Sequence, residues 1–374
     1  MAAFTPSRLT VARRRRGLKK NDLAAMAAIT RRSVSAFESG DAVPGADTLV
    51  LLAKALNFPL EFFSSPPLEE IRPTGASFRS LSTMTSSQRD SVLAAGSIAI
   101  EVNSKFEREF SLPAPNLPDL RGSSPEAAAD ELRAHWGIGE LAIGNAIHLL
   151  ESHGVRVFSL AEECKEVDGF SFWRNGTPFV FLNTFKSGER GRFDAAHELG
   201  HLMLHRHGGP LGRTAEREAD QFGSAFLMPR STVIAVAPRM PTMQGLIQLK
   251  HRWGVSVGAL CRRLFDLGMM SEWQYRQSCI EIARNGWRTL EPEGLPRETS
   301  QMFRKIFASL REEGVSHSGI AKELMISPSE LDALVFRMVL YVIDGGAPKG
   351  KPTIVADRPQ LQLFQTTSIV DNDV

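Results

Sequence analysis

The chain has 374 residues, enough for two or three domains of about 100–200 residues each. Hydrophobic residues make up 43% and charged residues 23%, which excludes a disordered or fibrous chain. The net charge of +2 says little about partners, and three cysteines without a CxxC pair (Cys164, Cys261, Cys279) exclude a disulfide framework and a thiolate zinc site. The charge is unevenly spread: residues 1–35 hold nine basic residues and one acid, Asp22, as expected of a nucleic-acid-facing module. The apolar run Leu49 to Leu56 is short and interrupted by Lys54, and Met1 to Thr10 lacks the apolar core of a signal peptide. A soluble, cytoplasmic protein with no membrane partner is expected.

Residues 6–65 read as short helices joined by tight turns. Leu9 to Arg14 forms a first helix and Lys20 to Met26 a second, with Leu23 and Ala24 facing inward. A turn at Ala27-Ala28-Ile29 leads to Thr30, a good N-cap, and a third helix runs from Arg31 to Glu38. Gly40 closes it, and a fourth helix spans Leu49 to Leu56. This order resembles the helix-turn-helix of Xre/Cro-type repressors. The resemblance implies that the third helix enters the major groove of an operator in double-stranded DNA, presenting Thr30, Arg31, Arg32, Ser33 and Ser35 to base edges. Arg13, Arg14, Arg15, Arg16, Lys19 and Lys20 would hold phosphates, giving affinity without sequence information. Lys20 replaces the Gln usual at the start of helix two but keeps a positive charge there. A homodimer is expected. The alternative is a degenerate module used for dimerisation or for recognising another protein.

Residues 66–124 read as a connector containing one helix, with Val92, Ala95, Ile98, Ile100 and Val102 at helical spacing and a proline-rich loop from Pro113 to Ser124. Residues 125–153 suggest two helices. Val155 to Leu160, Gly169 to Trp173 and Pro178 to Leu182 read as strands, the last two joined by a hairpin at Asn175-Gly176. Helices follow from about Gly191 to His205 and from about Thr214 to Leu227, the second stopped at Pro229. The remainder to about 345 is helical, with Trp253, Phe265 and Trp273 expected in the core. Within it, Val315 to Leu331 suggests a second helix-turn-helix or a plain helical hairpin. Residues 346–374 form a polar tail expected to fray. The fold class is α+β, mainly α: an all-α N-terminal domain (1–65), a central domain with a small sheet (125–270) and a helical C-terminal region (271–345).

The chemistry concentrates in His197-Glu198-Leu199-Gly200-His201. Two histidines four apart lie on one helix face and can grip one metal. Glu198, beside the first of them, is placed to take a proton from water and act as the catalytic base. Gly200 lets a neighbour approach closely. A third ligand is needed, and Glu216 and Asp220 are again four apart. That spacing permits Glu216 to coordinate while Asp220 orients a ligand histidine through its second nitrogen. Glu218, on another face, is the second choice of ligand. His205 and His207 are expected at the surface, at a helix C-terminus where a cation is favoured.

Asp168-Gly-Phe-Ser, Pro178 to Asn183, Arg192 to His201, Glu216 to Phe222 and Phe226-Leu-Met-Pro229 together resemble the ImmA/IrrE metallopeptidases, over roughly residues 150–270. The resemblance implies a gluzincin-like fold with a sheet beside the active-site helix. It implies Zn2+ on His197, His201 and Glu216, with Glu198 catalytic. Characterised members cut a partner repressor in response to DNA damage or a mobile-element signal, so a protein substrate and a stress role are expected. The strand before the helix could receive an extended substrate by β-addition. Neither tyrosine, Tyr275 or Tyr341, can be assigned to the oxyanion. The alternative functions are a non-catalytic regulator, or an antitoxin or phage-defence component that uses the zinc domain to sense or to bind a partner.

Overall fold

The computed structural model describes residues 3–71, 85–160, 168–206 and 212–336. Helices predominate around one three-stranded sheet, as expected of a mainly α chain. His207, Cys164, Tyr341 and the 346–374 tail lie outside the described residues.

The chain begins with α1 (Pro6–Arg15), α2 (Lys20–Met26), α3 (Arg31–Ser39) and α4 (Ala46–Leu56), then a 3-10 turn at Leu60–Ser64. Leu9, Leu23, Val34, Leu52 and Phe62 form their fully buried core. Thr30 starts α3 by accepting a hydrogen bond from the Ser33 amide at 3.0 Å, and Gly40 ends it with φ 84°. These caps satisfy backbone groups that a nine-residue helix leaves open at its ends.

Next come α5 (Ser86–Glu109), α6 (Pro125–His135) and α7 (Ala146–Ser152). The helix expected inside a connector is in fact central. α5 packs on α1 on one side and the sheet on the other. Gly96 makes the second contact: a Cβ there would lie 2.4 Å from Ile71 Cδ1 and 3.7 Å from Phe170 Cζ.

The strands are β1 (Arg156–Leu160), β2 (Gly169–Arg174) and β3 (Thr177–Asn183), in the order β1-β3-β2. β1 pairs parallel to β3, and β2 antiparallel to it. Asn175 (φ 48°) and Gly176 (φ 80°) make the hairpin, two left-handed residues whose twist suits a two-residue turn. Alternation gives the sheet two faces. Phe158, Phe170, Phe172, Phe179 and Phe181 stack on one, against α5 and the later α14. The other carries Ser171 and Trp173, which bond to the helix that follows. β3, the strand immediately before that helix, lies between β1 and β2 with both edges paired, so it cannot accept a further strand.

The helix after β3 is α8 (Gly188–Leu204), followed by α9 (Arg213–Leu227), α10 (Arg230–Val236), α11 (Met243–Lys250), α12 (Val257–Asp266) and α13 (Glu272–Arg284). Trp253 is core, but Trp273 at the start of α13 is 70% exposed, contrary to expectation, because α13 buries only Ile282. The chain then forms α14 (Gln301–Glu312), α15 (His317–Glu323) and α16 (Pro328–Leu334).

The α15–α16 turn repeats the α2–α3 turn atom for atom in its backbone bonding. Ala28 (φ 53°) and Met325 (φ 55°) are both left-handed. Ile29 donates to Ala24 at 2.9 Å, and Ile326 donates to Ala321 at 3.0 Å. Thr30 and Ser327 then cap the following helix. The second unit is docked inside the molecule: Glu330 on α16 bonds to α1, and Ser159 on β1 donates to Ala333 O at 2.6 Å while accepting from the Phe336 amide at 2.8 Å. Among the described residues, no helix is long and apolar enough to cross a membrane.

Candidate metal centre and nucleic-acid interface

The metal candidates come together where α8 crosses α9. Two glycines permit the approach: a Cβ on Gly200 would lie 3.0 Å from Phe222 Cδ1, and one on Gly223 would lie 3.1 Å from the His197 backbone nitrogen. Coordinating atoms of His197, His201 and Glu216 thereby fall within 4.8 Å of one another. His197 Nε2 and His201 Nε2 are 3.1 Å apart, and Glu216 carboxylate oxygens lie 3.6 and 3.7 Å from them. Ligands at about 2.0–2.2 Å in a tetrahedron are separated by about 3.3–3.5 Å, so this set fits zinc.

The donor chemistry supports the same conclusion. Glu216 Oε1 is buried without a hydrogen-bond partner, an unsatisfied acceptor 3.7 Å from His201 Nε2, while Oε2 lies 3.6 Å from His197 Nε2. His197 Nδ1 is 2.9 Å from Asp220 Oδ1, and a carboxylate can only accept, so Nδ1 donates there and Nε2 is the nitrogen turned to Glu216 and His201. Burial opposes a charge on His197, but the hydrogen bonds of Asp220 and Glu216 prevail and lift it to about 10. His201 is driven well below its ordinary value by burial and by its histidine neighbours.

Glu198 is buried on the sheet side of α8. Its Oε2 accepts from Ser171 Oγ on β2 at 2.7 Å, and a Cβ at Gly169 would lie 3.2 Å from its Oε1. Burial lifts the carboxyl to about 7, although His197 and the Ser171 hydroxyl pull it down. That range suits a proton acceptor near neutrality.

Two positions differ from expectation. His205 is not a surface residue: its side chain is fully buried, with Nδ1 2.9 Å from His201 Nδ1. Glu218, the alternative ligand, turns to His205 Nε2 at 2.9 Å instead of to the metal set. The signal was in the sequence, since 197, 201 and 205 are successive i, i+4 positions. Tyr275 stacks on Phe265 at 4.8 Å on α12–α13.

At the N-terminus, Thr30, Arg31 and Arg32 are exposed at the start of α3, and Ser33 and Ser35 are half-buried. Lys19 is exposed, and Lys20 lies 3.3 Å from Glu38. The run Arg13 to Arg16 departs from the expected phosphate-binding face. Arg13 is buried on Glu38 and the Leu18 carbonyl. Arg15, 1% exposed, bonds to Glu330, whose other oxygen takes Arg16 at 2.8 Å. Arg16 also donates to the Leu56 carbonyl. Only Arg14 keeps substantial exposure, 3.6 Å from Asp90. Successive helical residues are about 100° apart, so four in a row cannot share one face.

Comparison with known families gives two matches. Residues 150–265 match the family model of the IrrE N-terminal-like domain, a peptidase family. Residues 11–63 match the helix-turn-helix family model. No curated protein matches the chain. The first match spans β1 to α12 and contains the whole metal set; the second spans α1 to the 3-10 turn. The chain is therefore similar to an Xre-like helix-turn-helix module over residues 11–63 and to an IrrE/ImmA-like peptidase domain over residues 150–265.

Proposed function

We propose that this DNA-binding regulator uses Zn2+ on His197, His201 and Glu216 to hydrolyse a peptide bond in a partner protein. The partner is a repressor encoded nearby or another copy of the chain. The observation that carries this reading is the convergence of His197, His201 and Glu216, one carboxylate oxygen of which is buried and unsatisfied, beside a buried Glu198. Zinc, when bound, supplies a Lewis acid and makes water acidic near neutrality. Glu198, held at Oε2 by Ser171, takes the proton of the attacking water and passes it to the departing amine. Asp220 keeps His197 in the tautomer that binds metal.

DNA recognition falls to Arg31, Arg32 and the hydroxyls of Thr30, Ser33 and Ser35, with Lys19, Lys20 and Arg14 on phosphates. The protein works in the cytoplasm as a homodimer on an operator. Functional boundaries follow at about 65, 124, 270 and 345, with α5 shared between the first two units.

A second reading is a regulator, antitoxin or defence component whose metal domain senses or binds without cutting. It is favoured by α16, which bonds to both α1 and β1 and so joins the DNA module to the sheet beside the metal helix. Incubating purified protein with candidate repressors, wild type against Glu198→Gln, decides between them. Cleavage lost in the variant supports the peptidase. A metal-loaded wild type that cuts none of them favours sensing.

A further inference from the structure

We propose that His205 and Glu218 are positioning residues for the metal centre. They act as a two-step relay that fixes His201 in the tautomer whose Nε2 is bare. This rests on the metal reading above and deepens it.

The hydrogen-bond polarity follows from the carboxylate. Glu218 Oε2 can only accept, so His205 Nε2, 2.9 Å away, donates. A neutral imidazole has one N–H, which leaves His205 Nδ1 as an acceptor. His201 Nδ1, 2.9 Å from it, must then donate. The only remaining nitrogen of His201 is Nε2, unprotonated, 3.1 Å from His197 Nε2 and 3.7 Å from Glu216 Oε1. Every proton in the chain is set from the Glu218 end.

Burial makes the relay necessary. His201 is 2% exposed at its side chain and His205 0%, so bulk water is not available to hold His201 Nδ1. Glu218, at 29%, stands where the relay reaches solvent. His197 is held differently, by one direct bond to Asp220, a carboxylate 59% exposed. One ligand is therefore oriented from the surface in one step and the other from inside in two. Glu218 sits on another face of α9 than Glu216 and Asp220, which takes it to His205, one turn beyond the ligands on α8.

The test is Zn2+ affinity by chelator competition, with imidazole nitrogen NMR of the metal-free protein. Wild type is expected to show His201 protonated at Nδ1. His205→Leu is expected to weaken Zn2+ binding about 10–100-fold. His205→Asn, whose amide oxygen can still accept from His201, should recover most of it, which a purely structural role would not predict. Glu218→Gln, at a partly exposed position the fold tolerates, should weaken binding less than His205→Leu and blur the His201 tautomer. Wild-type affinity in His205→Leu, or His201 protonated at Nε2 in the metal-free wild type, overturns the relay. Glu216→Gln separates the two readings: it should lose Zn2+ while leaving the His201 tautomer unchanged. A wild type that takes up no Zn2+ overturns the metal reading and the relay with it.

Discussion

Between α8 and α9, three side chains from two helices converge on one point, with Asp220 bonded behind one of them; around α1, four consecutive arginines diverge. His197 and His201 are a helical turn apart, and so are Glu216 and Asp220, so each pair shares a face. Arg13 to Arg16 are adjacent and spread around their helix, to Glu38, Asp90 and Glu330. Spacing fixes direction, whereas a run of like charges fixes only composition. The two regions also use charge differently. The metal pocket leaves a carboxylate oxygen unpaired for a cation, while the α1 arginines are mostly satisfied inside the chain.

The comparison is sharpened most by Glu198→Gln, which keeps the three candidate ligands and removes the carboxylate proposed as base. Partner cleavage, followed by mass spectrometry of fragments, should fall about 10²–10⁴-fold with zinc content unchanged. Next is Glu330→Ala, which leaves Arg15 buried without its carboxylate. It should cost about 3–5 kcal/mol in urea unfolding, whereas Arg14→Ala, at an exposed ion pair, should cost about 1 kcal/mol or less. A Glu330→Ala protein as stable as wild type would show that the arginines are not structural.

DNA binding gives smaller effects. Arg31→Ala and Arg32→Ala should each lose about 1–3 kcal/mol of discrimination between operator and random DNA. Arg14→Ala should weaken binding to every sequence and lower the salt slope by about one. Equal loss of discrimination in all three would remove α3 from the recognition role. A separate effect is in pH. Burial lifts Glu151 from its ordinary 4.5 to about 7, where it accepts from the Gln301 and Met302 amides. A raised carboxyl stabilises fully below its unfolded pKa and loses that contribution as pH climbs through the folded one. Stability should therefore decline between about pH 4.5 and 7. Melting curves of Glu151→Gln should show a shallower decline, whatever constant offset its buried amide brings.

Elements set by local signals were legible in the sequence. Thr30 and Gly40 bound α3, Asn175-Gly176 makes the hairpin, and the i, i+4 spacings bring the three candidate ligands together. Features set by long-range pairing were not. Glu330 meets Arg15 across 315 residues, and Ser171 meets Glu198 across 27. His205 was misread because the end of a helix usually exposes its side chains, yet here α9 covers it through Glu218. α5 looked like a tether because its proline- and serine-rich flanks suggest linkers, while its burial depends on α1 and the sheet.

The most direct test of the central claim is anomalous diffraction at the zinc edge from crystals of zinc-loaded protein. The account predicts one peak about 2.0–2.2 Å from His197 Nε2, His201 Nε2 and a Glu216 oxygen, with Glu218 bonded to His205. A peak liganded by Glu218, or no peak between the two histidines, would contradict it.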